Sequence, residues 1–328
     1  MLDESVIDPE LREAARAAAD FPKLFAPNFE GDHTGFIEGP TDEDLVYAEN
    51  LKLENETLVR ADGTSLRIMI ALPKDGVSEG ENLPVMLWLH SGGYVAFYPE
   101  HDMIYFDRLM RASRCIVVSP DYRLAPEHPY PAALEDAYAA LLWTRGHIQD
   151  FGGDPSNVML GGASAGGGLS TGLALYAHDK GELPIRFLMV ICPMLDDRMI
   201  TGSSQGNEAP IWNSALNEQG WKAMLGKLYG TDDVPAYAAP ARAEDLSGMP
   251  PTCLCAGTLE PFRDEIAIFA SRLVQAGVPV DLKVKKAGFH SFDMIEPNAA
   301  ISQDAEQFMM KSFAFAVKHY TSPCRTAA

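Results

Sequence analysis

The chain has 328 residues, and its 26 Lys and Arg against 46 Asp and Glu give a formal net charge of −20. Such an acidic surface disfavours nucleic acid, anionic membranes and anionic substrates as partners. A hydrophobic content of 47% predicts a folded chain with a substantial core, and no apolar run reaches the roughly 18 residues of a membrane-spanning helix. Residues 1–20 lack the basic start and apolar centre of a secretory signal, so the sequence favours the cytoplasm.

Four of the five cysteines lie in apolar, strand-like runs and Cys324 lies in the tail, which points to core packing of the four rather than to disulfides or a metal. The total of five is odd and no secretory signal precedes them, which argues against a disulfide framework. Cys253 and Cys255 would share one face of a strand, but no second cysteine pair or spaced histidines accompany them. We therefore expect buried core cysteines and no metal site.

The first predicted element is a hairpin, in which residues 58–60 and 66–72 flank a turn that contains Asp62-Gly63. Six apolar runs typical of buried strands follow, at 84–90, 115–120, 157–160, 186–192, 252–256 and 280–285. Helix-like segments lie among them, at 102–112, 132–145, 165–179, 264–276 and 302–319. This alternation predicts an α/β fold with a mostly parallel sheet of about eight strands, covered by helices on both faces.

Two stretches fall outside the alternation, residues 1 to about 45 and residues 197–244. A long insertion beside the edge of a sheet is often functional. We expect both stretches to form a cap over the site, with a peripheral decoration as the alternative. No internal repeat or linker divides the chain, so residues 1–328 are expected to form a single domain.

Residues 162–166 read Gly-Ala-Ser-Ala-Gly, a G-x-S-x-G pattern between a predicted strand and a predicted helix. This context is typical of a nucleophile elbow, a sharp turn that lifts a serine hydroxyl above the sheet. The turn has room only for small neighbours, and the following helix offers free N–H groups at its start. The pattern predicts Ser164 as a nucleophile. The alternative is a glycine-rich turn that only packs tightly or binds phosphate.

The predicted strand 84–90 ends in a loop, residues 90–94, that reads His-Ser-Gly-Gly-Tyr. Consecutive glycines expose backbone N–H groups, and such donors stabilise the oxyanion of a tetrahedral intermediate. We expect the N–H groups of Gly92, Gly93 and Ala165 to form a three-donor oxyanion hole. The alternative is a loop that is merely flexible.

His290 follows the last predicted strand, within residues 288–292. A histidine placed after both the nucleophile and the last strand has the chain order of a Ser-acid-His triad. The acid should then lie between the two, and residues 258–265 offer Glu260, Asp264 and Glu265. The sequence pattern alone does not choose among these three carboxylates.

Together these motifs resemble the hormone-sensitive-lipase family of α/β-hydrolases, also called the bacterial family IV esterases. The family's oxyanion loop, H-G-G-G with a following aromatic residue, corresponds to residues 90–94, and its elbow, usually G-D-S-A-G, to residues 162–166. Its other markers are similar to Asp-Tyr-Arg-Leu-Ala-Pro-Glu at 121–127, to the acid segment 260–265 and to the histidine segment 288–293. The resemblance covers about residues 83–320.

Three positions depart from the family pattern: Ser91 replaces a loop glycine, Ala163 replaces the elbow Asp, and Glu260 stands where the catalytic Asp precedes a proline. The family does not use the position of Ser91 as an N–H donor, so the oxyanion hole should survive. A carboxylate one methylene longer still reaches a histidine. The resemblance therefore implies Glu260 as the acid.

The resemblance also implies the activity: a carboxylesterase that hydrolyses short- to medium-chain acyl esters through an acyl-enzyme, without a metal or organic cofactor. Ser164 would attack the carbonyl, His290 would transfer the proton and Glu260 would orient the imidazole. Tyr94, Phe97 and Tyr98 are expected to line the acyl or alcohol pocket, with core or cap packing as the alternative.

Other functions use the same scaffold. A lactone, carbamate or amide is an alternative substrate for the same triad, because fold and motif do not determine the substrate. A non-catalytic ligand-binding protein should have lost a triad member, whereas Ser164 and His290 are both present. The expected partner is a small-molecule ester, without nucleic acid or membrane, and the resemblance adds a homodimer by analogy.

Overall fold

The computed structural model describes residues 3–31, 46–60, 62–181 and 184–320. Within these ranges, eight strands form one sheet in the order β1-β2-β4-β3-β5-β6-β7-β8. The strands are β1 Leu51–Val59, β2 Ser65–Pro73, β3 Leu83–Leu89, β4 Ile116–Pro120, β5 Gly153–Ala163, β6 Leu188–Ile191, β7 Thr252–Gly257 and β8 Val280–Lys285. β2 is antiparallel to β1 and to β4, and every other neighbouring pair is parallel. The expected α/β architecture is confirmed.

Helices cover the sheet on two sides. The α-helices of the described ranges are α1 Arg12–Ala17, α2 Phe21–Phe25, α3 Met103–Ala112, α4 Ala132–His147, α5 Ala165–Lys180, α6 Ser214–Leu225, α7 Arg263–Gln275, α8 Phe292–Ile295 and α9 Ala300–His319. The side chains of Leu87 and Leu89 join a core cluster with α4, α5 and α7, whereas Met86 and Trp88 join a cluster with α3 and α9. Successive strand residues point to opposite faces, so a strand buried on both faces reads as a continuous apolar run.

The element boundaries differ from the prediction mainly at two strands. β1 begins at Leu51, whereas the sequence indicated only 58–60, and β5 begins at Gly153 rather than at 157. β1 lies at the edge of the sheet and carries exposed polar residues in its middle, so no apolar pattern marks it. The five predicted helices begin and end within two residues of the observed bounds.

The two stretches expected to form a cap contact each other. The 3-10 helix Ala26–Glu30 packs near α6, and the Phe25 ring meets the Trp212 indole edge-on, with ring centroids 5.5 Å apart. Residues 1–2 and 32–45 of the first stretch lie outside the described residues. In the described ranges, no helix is long and apolar enough to cross a membrane.

Candidate active site

Ser164 occupies the sharp turn between β5 and α5. Its backbone has φ 55° and ψ −120°, a conformation that residues other than glycine rarely adopt. Gly166 makes the turn sterically feasible, because a Cβ at this position would lie 2.0 Å from the carbonyl oxygen of Leu89 at the end of β3. The turn places the Ser164 side chain at the floor of a cavity.

A chain of hydrogen bonds connects Ser164 with His290 and Glu260. His290 Nε2 lies 2.9 Å from Ser164 Oγ, and His290 Nδ1 lies 2.9 Å from Glu260 Oε2. The other oxygen of Glu260 accepts the backbone N–H of Gly257 at 2.6 Å. Ser164 is only 4% exposed, His290 3% and Glu260 0%, so water competes little with these hydrogen bonds. The arrangement can move a proton from the hydroxyl to the imidazole and hold one tautomer of the ring.

The other two candidate carboxylates are committed elsewhere. Asp264 accepts the backbone N–H of Ser203 at 2.8 Å and pairs with Arg263, whose guanidinium lowers the pKa of Asp264. Glu265 is buried and accepts the backbone N–H of Leu195 at 2.7 Å, and burial raises its pKa. Of the three, Glu260 is the one with an oxygen at hydrogen-bonding distance from His290.

Two glycines of the oxyanion loop and the first residue of α5 carry the backbone N–H groups that were expected to form the oxyanion hole. Gly92 has φ 120°, and a Cβ there would lie 2.0 Å from the carbonyl oxygen of Ala96, so the loop needs glycine at this point. Within the described residues, the N–H groups of Gly92 and Gly93 make no hydrogen bond. Ala165 is the first residue of α5, where a backbone N–H has no partner inside the helix. Gly92 and Ser164 line the same cavity.

The serine that departs from the family pattern, Ser91, fixes the oxyanion loop from beneath. Its hydroxyl donates to Asp102 Oδ1 at 2.7 Å, and its backbone N–H donates to Asp102 Oδ2 at 3.2 Å. Trp88 Nε1 donates to the same carboxylate at 2.7 Å. Asp102 is fully buried just before α3, and burial raises its pKa. Sequence reasoning placed Asp102 only at the start of a helix, where an acidic residue is unremarkable.

The segment that carries His290 is anchored by a buried ion pair. Arg108 on α3 donates to Asp293 twice, to Oδ2 at 2.9 Å and to the carbonyl oxygen at 2.7 Å. Arg108 also pairs with Glu306 on α9 at 3.0 Å. Ser291, directly after the histidine, has φ 58°, a left-handed conformation that residues other than glycine seldom adopt. The sequence analysis included Asp293 in the histidine segment 288–293 without giving it a role, and it did not single out Arg108.

The cavity above Ser164 has a volume of about 220 Å³ and a largely apolar wall. Residues from the N-terminal segment, the segment that follows the oxyanion loop and the insertion supply its aromatic and aliphatic lining: Phe21, Phe25, Phe97, His101, Ile211 and Trp212. Met294 and Ile295 of α8 complete it. None of its lining residues in the described ranges is a Lys, Arg, Asp or Glu. The cavity therefore suits an uncharged, partly hydrophobic ligand.

The three residues expected to line the pocket have different positions. Phe97 lines the cavity, whereas Tyr94 and Tyr98 are not among its described lining residues, which differs from the expectation. Tyr94 has φ 67° and is buried beneath the loop, where its ring lies 6.3 Å from that of Trp221. A Cβ on Gly168 of α5 would lie 2.9 Å from the Tyr94 hydroxyl, so this ring packs against the helix.

Potential metal-binding atoms come together at one place in the described ranges. Cys192, Glu260 and His290 bring one sulfur, one carboxylate oxygen and one ring nitrogen within 4.8 Å of one another. Two of these atoms already share the hydrogen bond between Glu260 and His290. Burial raises the pKa of the Cys192 thiol, whereas a metal ligand must be a thiolate. This donor set therefore suits proton transfer better than metal binding.

Comparison with known proteins adds independent findings. A family model described as the alpha/beta hydrolase fold matches residues 86–294. The carboxylesterase NlhH of Mycobacterium tuberculosis is 35% identical over 227 residues, 67% of this chain and 70% of its own length. The esterase LipI of the same organism is 36% identical over 214 residues, 64% of this chain and 65% of its own.

Solved structures show the same similarity over nearly the whole chain. A bacterial heroin esterase superposes with a TM-score of 0.80 at 32% identity, covering 95% of this chain and 98% of that one. The esterase LipW from Mycobacterium marinum superposes with a TM-score of 0.79 at 29% identity, covering 95% and 96% of the two chains. The fold that surrounds the cavity is therefore shared with esterases.

Proposed function

Because the chain belongs to the hormone-sensitive-lipase group of the α/β-hydrolase family, and is a serine-type carboxylic ester hydrolase, we propose that Ser164, His290 and Glu260 carry its chemistry. The observation that carries the proposal is the continuous hydrogen bonding from Ser164 Oγ through His290 to Glu260, with 2.9 Å at each step. Buried groups in this order activate a serine nucleophile.

The proposed reaction proceeds through an acyl-enzyme. Ser164 Oγ attacks the ester carbonyl while its proton passes to His290 Nε2, and the resulting oxyanion accepts hydrogen bonds from the N–H groups of Gly92, Gly93 and Ala165. His290 then gives the proton to the leaving alcohol. Glu260 holds the Nδ1 proton and stabilises the imidazolium ion. Water repeats both steps on the acyl-enzyme and releases the acid.

We infer that the N-terminal segment and the insertion act as the cap of this site. Phe21 and Phe25 come from the first, and Ile211 and Trp212 from the second. At about 220 Å³ the cavity is smaller than the ~300 Å³ at the lower end of drug-sized pockets, which supports short- to medium-chain acyl groups as substrates. The homodimer and the cytoplasmic location stay predictions.

Covalent labelling tests the nucleophile. Paraoxon should label Ser164 alone, and Ser164→Ala should lose the label and at least ~10³ in kcat towards p-nitrophenyl acetate. The matched controls are Ser91→Ala and Ser291→Ala, which change the other two serines that line the cavity and should keep the label. A label on another serine, or near-normal turnover by Ser164→Ala, would contradict the proposal.

A further inference from the structure

A line of aromatic rings leads from the catalytic histidine into the cavity. The Trp212 ring centroid lies 6.3 Å from that of His290, and Phe25 follows at 5.5 Å from Trp212. Phe97 lies 6.1 Å beyond Phe25, and His101 stacks on Phe97 at 3.8 Å. All four of these rings line the cavity. The proposed triad does not use any of them.

These rings come from separate parts of the chain, and Trp212, Phe25 and Phe97 pack against one another edge to face. Trp212 and Phe25 cross at 85°, and Phe25 and Phe97 cross at 63°, both in edge-to-face arrangements. Aromatic faces and edges carry opposite partial charge, so such a surface attracts a further aromatic ring beyond what its area alone contributes. A saturated ring of the same size gains only the burial of its surface. We therefore expect this wall to bind a flat aromatic ring more tightly than a saturated ring of the same size.

The position of this line relative to His290 indicates which part of an ester it meets. His290 Nε2 must deliver its proton to the leaving oxygen, so the first carbon of the alcohol lies beside the imidazole. Trp212 is next to this point, because its ring centroid lies 6.3 Å from that of the His290 imidazole. An alcohol that leaves the reacting centre on the histidine side therefore runs along Trp212 and Phe25 towards Phe97.

The uncharged lining and the small volume of the cavity further limit which substrates fit. No Lys, Arg, Asp or Glu lines the cavity in the described ranges, so a charged group on the alcohol would find no partner there. A volume of about 220 Å³ accommodates one ring together with a short acyl group rather than two large groups.

We propose that the preferred substrates are esters of a short acyl group with an alcohol that carries an uncharged, flat aromatic ring, as in benzyl acetate. This inference rests on the proposed function of Ser164, His290 and Glu260, and it assigns the substrate class of that site.

A matched substrate pair tests the inference on the unmodified protein. Benzyl acetate and cyclohexylmethyl acetate share the acyl group and the carbon count, and their alcohols leave with similar ease. The aromatic ester should have the higher kcat/KM by roughly tenfold. Equal values would overturn the inference. So would a preference for methyl benzoate over methyl cyclohexanecarboxylate without any preference in the alcohol pair, because the ring would then lie on the acyl side.

Variants test whether the named rings cause the preference. Phe97→Leu and Trp212→Leu should each lower the ratio of kcat/KM for benzyl acetate to that for cyclohexylmethyl acetate several-fold. If Trp212→Leu does not fold, the result for Phe97→Leu alone tests the inference. Phe315→Leu is the matched control, since Phe315 is 51% exposed on α9 and should leave the ratio unchanged. An unchanged ratio in folded Phe97→Leu overturns the inference. Absence of hydrolysis of every ester, with no paraoxon label on Ser164, is the distinct result that would reject the proposed function itself.

Discussion

At the scale of single residues, the carboxylates that follow β7 differ in their surroundings rather than in their chemistry. Glu260 is buried against His290, Asp264 pairs with Arg263, and Glu265 is buried against the backbone N–H of Leu195. Environment of this kind decides which of several carboxylates serves as the acid partner. Because the surroundings are not visible in a local sequence pattern, residues 258–265 offered three candidate acids, and only their three-dimensional contacts distinguish them.

Two isosteric substitutions separate these roles. Glu260→Gln keeps the volume but loses the charge, and its amide favours the wrong imidazole tautomer, so kcat should fall by ~10² to 10⁴. Asp264→Asn, the control, should leave kcat within a few-fold and cost about 1 kcal/mol or less of stability, because it removes a partly exposed ion pair with Arg263 but keeps an acceptor oxygen for the Ser203 N–H. Steady-state kinetics and thermal melts measure both effects. Comparable losses of kcat in the two variants would reject Glu260 as the orienting acid.

Residues with a local motif were predicted from the sequence, and residues without one were missed. Ser164, Gly92 and His290 are marked by short patterns next to strands, because a sharp turn or an exposed N–H demands particular neighbours. The contact between Ser91 and Asp102 spans 11 residues, and that between Arg108 and Asp293 spans 185. Pairs this distant leave no periodic or spacing signal in a single sequence.

At the scale of elements, Glu265 ties α7 to the segment after β6. One oxygen accepts the backbone N–H groups of Leu195 at 2.7 Å and Asp196 at 3.3 Å. The other has no hydrogen-bond partner among the described residues. Burial raises the pKa of Glu265 well above its ordinary value of 4.5, and the nearby Asp196 carboxylate adds to the effect. Ionisation of this group therefore works against the folded state.

The sign of the pH dependence follows from that raised pKa. A carboxyl whose pKa is higher in the folded chain contributes stability below its unfolded pKa and loses it as pH rises. Glu265→Gln keeps an acceptor oxygen and cannot ionise. Its melting temperature relative to the native protein should therefore rise as pH increases from 5 to 8.

Asp264→Asn is the control for this titration. Its lowered pKa means that Asp264 is ionised in both the folded and the unfolded chain from pH 5 upward, so the difference from the native protein should stay constant there. A pH-independent difference for Glu265→Gln would contradict a raised pKa at this site.

Elements with two buried faces were the easiest to predict. The central strands appear as apolar runs and the main helices as periodic segments, so their bounds match closely, except at β5, which is longer at both ends than predicted. β1 was mostly missed because an edge strand with polar residues has no such run. The aromatic line was missed for another reason: Phe25 and Trp212 belong to stretches outside the alternation, and their contact depends on how those stretches pack.

At the scale of the whole molecule, segments far apart in the chain line one small cavity. Because that cavity holds about 220 Å³, kcat/KM for p-nitrophenyl esters from acetate to palmitate should peak between about two and eight acyl carbons. Ser164→Ala measured on the same series gives the background. A maximum at palmitate, or strong activation at an oil–water interface, would contradict a limit on acyl length set by this cavity.

Helix α3 links the two halves of the site. The helix begins directly after Asp102, which holds the oxyanion loop, and it carries Arg108, which holds the segment of His290. Residues on or directly before one ten-residue helix therefore hold both the oxyanion loop and the segment of His290. If this helix opens locally, we expect both contacts to be lost in the same cooperative step. Catalytic competence should thus behave as an all-or-none property of the molecule, without a populated state that keeps half of the machinery.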